Sequence, residues 1–292
     1  MTKELKPYKS SKLNTANFGN MTQNDYNVYL HLISKIVKVD DKGNYLKPDQ
    51  LKREYHLTAK EYNQIFNCDM KNAYSFLKKA CKKLMKTSVN IEKVDLKQIW
   101  EINVCSHAVY NENEGSITVM FTDSIMPYLS QVRDQFVIYN LKEVSNFKSI
   151  HSIRLYEQIQ QFKDTGYFVK NLSQLRNIFA VGNKYKNYND LKKYTFSHAV
   201  KEINKHYHID LDFQEVKEGR KVAAIKFTFN KTKIAKRYRQ DGSYTNEYIK
   251  PKEKSKYQDI VLEGQLSFEE KTQNQSHAGN AASNIIQNLK IN

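Results

Sequence analysis

Two short clusters in the sequence carry residue types able to do metal or acid–base chemistry. His206-Tyr207-His208 sets two imidazoles around a phenol, and Asp210-Leu211-Asp212 sets two carboxylates two residues apart. Paired imidazoles can hold a divalent cation beside a nucleophilic tyrosine, which is DNA-nicking chemistry. A different chemistry is spread along two longer stretches, as ammonium groups and amides at helical spacing. Lys71, Asn72, Ser75, Lys78, Lys79, Lys82, Lys83 and Lys86 lie in one; Asn189, Lys192, Lys193, Ser197, His198, Lys201, Asn204 and Lys205 lie in the other. Lysines suit phosphate oxygens, which give affinity and register. Asparagine can pair bidentately with adenine, so Asn72, Asn189 and Asn204 are candidates for reading base edges. Arg220 and Lys221 sit at a turn between two alternating segments, where a phosphate or minor-groove contact is expected.

The elements around each cluster decide between these chemistries. Glu202 to Lys205 still read as helix, so the histidine triplet straddles a helix C-terminus, where imidazole is favourable for itself. A rolling-circle nicking enzyme would need its histidines inside a strand flanked by bulky apolar residues. Asp210 and Asp212, on a strand, share the solvent face. The expectation is therefore no catalytic residue, no metal and no cofactor. The nine glycines are too scattered for a Walker A loop or a dinucleotide fingerprint. Cys68, Cys81 and Cys105 are widely spaced and odd in number, which predicts buried thiols and no disulfide framework.

The basic stretches gain meaning from their neighbours. Thr22 with Asp25, and Thr58 with Glu61, are capping-box pairs. The first opens a helix over 22–37 that buries Tyr26, Tyr29, Leu30, Ile33 and Val37; the second opens a short helix to Phe66. A third helix runs from Met70 to Lys86, with Ala73, Leu77, Ala80, Cys81 and Leu84 on its inner stripe. Trp100, Ile102, Val104, Ala108 and Tyr110 then alternate with polar residues. After the turn at 111–115, Ile117, Val119 and Phe121 continue a period-two hairpin. The order then repeats: a helix over 149–162, a short strand at 167–169, a short helix over 172–179, a long helix over 191–207, and a hairpin turning at 217–221. That long helix buries Phe196, Ala199, Val200, Ile203 and Tyr207. Helices followed by a hairpin, twice, predict an α+β chain of two tandem winged-helix domains, each a helix-turn-helix with a β-hairpin wing. In that fold the third helix enters the major groove, so its outward face must be polar and basic. The domains expected are a basic N-terminal arm at 1–20, a first winged helix at 21–143, a second at 144–230 that makes the main specific contacts, and a flexible, disordered C-terminal tail at 231–292.

Composition agrees. Lys and Arg number 47 against 31 Asp and Glu, a formal net charge of +16, which calls for a polyanionic partner. With no membrane-spanning apolar run and no apolar core near Met1, the expected location is cytoplasmic, with no membrane partner.

Certain segments are similar to a known family. Ser149-Ile-His-Ser-Ile-Arg-Leu-Tyr-Glu-Gln-Ile-Gln-Gln161 resembles the opening helix of the second winged helix in replication (Rep) initiators of theta-replicating plasmids, around Arg154-Leu155-Tyr156. Phe196, Ala199-Val200 and Glu202-Ile203-Asn204 resemble the recognition helix of that domain, and Tyr74, Leu77-Lys78, Ala80 and Leu84 its first-domain counterpart. The likeness covers about residues 15–230. It implies binding of double-stranded DNA at origin direct repeats (iterons), help in opening the duplex, and recruitment of host replication proteins such as the initiator and helicase. It also implies a homodimer in equilibrium with monomer and repression of the chain's own promoter. A winged-helix transcriptional repressor with no initiation role is the alternative. In the tail, Gln265-Leu266-Ser267-Phe268 resembles the start of the short motif that docks on the bacterial sliding clamp, with the aromatic one position early. Gln265, Leu266 and Phe268 would be its anchors.

Overall fold

The residues expected to form a basic arm instead begin the packed structure. In the computed structural model, which describes residues 5–38, 40, 46–93, 97–130 and 136–230 and the short strands 237–238 and 244–245, strand β1 (Tyr8–Ser10) pairs antiparallel with β7 (Phe136–Ile138). Helix α1 (Ser11–Thr15) follows directly, capped by the Ser10 hydroxyl. Tyr8, Leu13, Ala16 and Phe18 are all buried. The basic character that suggested an arm hides this apolar pattern, and Lys9 itself is buried.

The first unit follows its caps. Thr22 accepts the Asp25 N–H while Asp25 accepts that of Thr22, and α2 (Gln23–Ser34) starts there. It stops three residues short of the expected end, leaving Val37 exposed at 57%. Strand β2 (Glu54–Thr58) comes next, a strand not expected from sequence. It turns Tyr55 and Leu57 inward. Thr58 and Glu61 cap α3 (Ala59–Phe66) reciprocally, and α4 (Met70–Leu84) carries the expected inner stripe, fully buried. The strands after α4 differ from the expectation. Trp100 and Ile102 do not share an arm with Ala108 and Tyr110. They lie in β4 (Gln98–Asn103), which pairs back to β3 (Ser88–Lys93), with Ile102 opposite Val89. The chain turns at Val104, whose N–H is taken by the Thr87 carbonyl, and then enters β5 (Cys105–Asn111). Alternation runs through both strands, so periodicity alone cannot show that the pairing partner changes. β5 pairs with β6 (Ser116–Phe121), closing the wing through Gly115 at φ 59°. Helix α5 (Met126–Ser130) ends the unit.

The second unit repeats the plan: α6 (Ile150–Gln161), β8 (Tyr167–Asn171), α7 (Leu172–Ile178), α8 (Tyr188–Tyr194), α9 (Phe196–Tyr207), and the hairpin β9 (Asp212–Glu218) with β10 (Lys221–Thr228). The two three-stranded sheets have corresponding order, β2-β6-β5 and β8-β10-β9. In each, the strand after the first helix lies beside the returning arm of the wing. These are two winged-helix domains. Phe168 stacks on Phe227 at 4.9 Å, and Phe196 meets Phe213 edge-on at 5.0 Å. Aromatic pairs of this kind form the core between the sheet and the helix that precedes the wing.

The long helix expected over 191–207 is two helices. Thr195, fully buried, has φ −116° and ψ −93°, and its hydroxyl donates to the Leu191 carbonyl. Ile209 and Leu211, expected on a strand arm, are buried ahead of β9, and Asp210 between them adopts φ 54°. Asp210 and Asp212 therefore do not share a strand. Cys81 and Cys105 are buried free thiols, and Cys68 is half-buried.

Candidate nucleic-acid interface

On α4 the apolar stripe faces α2 and the sheet, so the opposite face is outward by helix geometry. Lys71, Asn72, Ser75, Lys79 and Lys82 are exposed there, as is Lys86 just beyond the helix, and Lys83 is half-buried. Asp69 caps the helix through the Lys71 N–H at 3.0 Å. Lys78 is engaged. Its ammonium pairs with Glu112 at the tip of the first wing, which raises the Lys78 pKa and lowers that of Glu112. That contact ties the wing to α4.

The break at Thr195 divides the second set of candidates. Asn189, Lys192 and Lys193 belong to α8, while Ser197, His198, Lys201 and Lys205 belong to α9. On α9, Phe196, Ala199, Val200 and Ile203 are buried, whereas His198, Lys201 and Lys205 are exposed and Ser197 is partly so. Spaced by three and four, these outward residues form one stripe. Asn189 and Lys193 are exposed on α8. Lys192 is paired: its Nζ lies 2.8 Å from Glu215 on β9, which also accepts the Tyr188 hydroxyl at 2.7 Å. These bonds hold the Glu215 carboxyl below its usual range, and they join α8 to the second wing. At the wing tip, Gly219 at φ 58° opens a two-residue turn, and Arg220 and Lys221 are exposed beside it. A glycine with positive φ at the first turn position suits a tight hairpin.

Asn204 does not face outward. Its amide donates to the Leu211 carbonyl at 2.7 Å and its oxygen accepts the Leu211 N–H at 2.8 Å, so it clamps the connection from α9 to β9. Glu202 accepts the Lys148 N–H at 2.6 Å. His206 packs its ring edge against Phe147 at 5.6 Å, and His208 is the left-handed cap of α9. Among the described residues, no group of three or more His, Cys, Asp or Glu is placed to hold a metal ion. No helix among them is long and apolar enough to cross a membrane.

What fixes the two basic faces to one frame is a buried polar knot that sequence reasoning missed. Helix α6 lies between the units, and its residues from Ser152 to Gln160 are all buried. Glu157 accepts four hydrogen bonds: from Lys9 at 2.6 Å and Tyr139 at 2.7 Å on Oε1, and from Tyr26 at 2.9 Å and Arg154 at 3.0 Å on Oε2. Arg154 spends all five N–H donors. Nε reaches the Ile178 carbonyl, Nη1 reaches Tyr26 and Glu157, and Nη2 reaches the carbonyls of Asn14 and Ala16. One side-chain cluster thus joins β1, α1, α2, α6 and the end of α7. Burial lowers the Lys9 ammonium to about 7, even with Glu157 beside it. Burial would raise the Glu157 carboxyl, but Lys9 and Arg154 more than offset it and hold it low.

Comparison with known proteins places this architecture. The family model described as "Initiator Replication protein, WH1" matches residues 6–160, and "Initiator Rep protein, WH2" matches 171–229. The chain belongs to the initiator replication protein family. A replication initiation protein of Escherichia coli is 25% identical over 169 residues, 56% of this chain and 52% of that protein. The PI protein of Escherichia coli is 28% identical over 147 residues, 44% of this chain and 48% of that protein. The chain therefore spans about half the length of these curated relatives. A crystal structure of Pi initiator protein in complex with iteron DNA shares the fold, with TM-score 0.63 and 21% identity, over 78% of this chain and 98% of that one. Within this initiator-family chain, the two motifs that carried the resemblance prove to be structural. Arg154 and Glu157 make the knot, Glu202 and Asn204 pin loops, and the outward Lys201 and Lys205 flank that second motif. Arg-Leu-Tyr-Glu was the available signal for the knot, because a charged pair on a helix whose other residues are apolar or polar-neutral must find partners. The sequence does not name those partners.

Proposed function

We propose that this chain is a plasmid replication initiator. It binds direct repeats at an origin through the outward faces of α4 and α9, each supported by its wing. The observation that carries the reading is the tandem match to both winged-helix family models on a chain with two exposed basic recognition faces. The related Pi initiator is solved on iteron DNA, and the same duplex substrate is proposed here. Two recognition helices on one frame would read successive major-groove faces about one helical turn, roughly 34–36 Å, apart. The lysines supply phosphate contacts, with Ser75, Asn72, Asn189, Ser197 and His198 toward the bases. The chain acts by binding, without covalent chemistry, in the cytoplasm. It helps open adjacent duplex and recruits the host initiator, helicase and sliding clamp. As a homodimer in equilibrium with monomer, it represses its own promoter. The clamp anchors Gln265, Leu266 and Phe268 lie outside the described residues.

The test is plasmid maintenance. A plasmid with the coding region, its flanking DNA and a marker should replicate in the host that maintains the parent plasmid. A Lys201→Ala/His198→Ala chain should fail to maintain it at wild-type protein level. Replication that persists without the coding region contradicts the reading.

A further inference from the structure

The connection from α7 to α8 is held in an unusual conformation. Ala180, Gly182 and Tyr185 all have positive φ, at 51°, 52° and 53°. For alanine and tyrosine that region is disfavoured, so surrounding contacts must impose it. At Ala180 the helix end itself imposes it, closed by the Val181 N–H on the Arg176 carbonyl at 3.1 Å; from Gly182 onward the contacts come largely from one side chain. Arg176, in the last turn of α7, donates Nη1 to the carbonyls of Gly182 at 3.4 Å and Lys184 at 2.9 Å. Its Nη2 reaches the carbonyls of Tyr185 at 2.6 Å and Lys186 at 3.1 Å. A guanidinium turned onto four carbonyls shapes a loop as a fork that lysine cannot reproduce. The loop is also anchored beside α9. The Tyr185 ring stacks on Tyr194 at 5.2 Å, and Tyr194 is the residue before the Thr195 break from which α9 starts. The Tyr194 carbonyl in turn meets His151 Nδ1 at 3.1 Å. The segment 182–187 has two lysines and no acid, and Lys184 and Lys186 are both exposed.

We propose that the 182–187 loop is a third phosphate-contacting element of the second unit. Arg176 is its positioning residue, fixing Lys184 and Lys186 against the DNA backbone beside the start of α9. The inference rests on the reading of α9 as a duplex-binding helix. It adds an element outside both the recognition helix and the wing.

The experiment is fluorescence anisotropy of the full chain with a labelled mixed-sequence duplex about three helical turns long, across a range of salt. Lys184→Ala/Lys186→Ala should make the slope of log affinity against log salt shallower by about two, as expected for two lost phosphate contacts. Arg176→Gln should give the same shallower slope, and so should Arg176→Lys. The triple variant Arg176→Gln/Lys184→Ala/Lys186→Ala should lose no more than either, with thermal midpoints at the wild-type value throughout. A wild-type slope in the double lysine variant overturns the proposal, as does additive loss in the triple. A fall in the Arg176→Gln midpoint overturns the positioning role, since Arg176 would then hold the unit and not the loop. If the wild-type chain shows no salt-dependent duplex binding, the underlying reading fails. If it binds and only His198→Ala/Lys201→Ala weakens it, the loop alone is wrong.

Discussion

Glu157→Gln tests the buried knot with a nearly isosteric change. The glutamine keeps one carbonyl oxygen, while its amide nitrogen turns toward two of the four donors that now reach the carboxylate. Arg154 is then a buried cation without a counter-charge, at 2% side-chain exposure, while Lys9, already lowered to about 7 by burial, loses the carboxylate that favours its charged form. Removing one partner of a buried pair costs about 3–5 kcal/mol, because the remaining charge stays desolvated. For a chain of this size each kcal/mol shifts the midpoint by about 2–4 °C, so a fall of about 6–20 °C is expected in thermal unfolding followed by circular dichroism. Glu112→Gln, which breaks the exposed pair to Lys78, should leave the midpoint unchanged. Amide exchange should quicken in β1 and α1, which Arg154 holds through the carbonyls of Asn14 and Ala16. A Glu157→Gln chain that melts within about 1 kcal/mol of wild type would refute the claim that this cluster joins the units.

Three further outcomes follow from the same geometry. His31 is buried, and burial, aided by Lys35, lowers its pKa from 6.5 to about 4. The folded value lies below the unfolded one, so its contribution is full above about pH 6.5 and is lost as pH falls toward 4. That loss amounts to about 3 kcal/mol in urea unfolding, and His31→Phe should flatten this part of the profile; an unchanged profile contradicts it. Asn204→Ala should lower stability by about 1–3 kcal/mol through two lost bonds to Leu211 while leaving sequence discrimination intact, whereas Ser197→Ala should relax discrimination at wild-type stability; duplex competition and urea melts separate the two. A peptide covering Ile260 to Lys271 should bind the host's sliding clamp in the micromolar range, about −8 kcal/mol, by calorimetry. Leu266→Ala/Phe268→Ala should abolish that binding, and a peptide inert at high clamp concentration removes the clamp from the partners.

The legible parts of this molecule were those set by local chemistry. Thr22 with Asp25 and Thr58 with Glu61 announced two helix starts because both partners of each cap lie within one turn. The stripe from Ala73 to Leu84 announced the inner face of α4, and its complement the outward lysines, because both follow from one period. The parts that were not legible depend on pairing at a distance. β2 is five residues with only two inward apolar positions, and it becomes a strand because β6, some sixty residues later, offers an edge. β4 alternates as β5 does, and only the partner β3 separates them. The helix break at Thr195 leaves no glycine or proline to mark it, since the hydroxyl's bond to Leu191 and the packing of Phe196 decide it. Lys9 read as surface charge because its partner lies near the middle of the chain. At the candidate interface the same division holds. Helix phase identified Lys71, Lys79, Lys201 and Lys205 as outward, but it could not show that Lys78 and Lys192 are held by wing glutamates, or that Asn204 is turned onto Leu211.

The central claim is that two recognition faces on one chain read a duplex repeat. The most direct measurement is quantitative footprinting of the purified chain on the DNA flanking its coding region, repeated with Lys79→Ala/Lys82→Ala and with His198→Ala/Lys201→Ala. The account predicts protection of tandem repeats of about two helical turns, each covered by one chain through two adjacent major grooves. It further predicts loss of one half of each footprint with each double variant, and steep weakening as salt rises. Protection that survives both double variants, or Mg²⁺-dependent nicking that leaves DNA attached to a tyrosine, would contradict it.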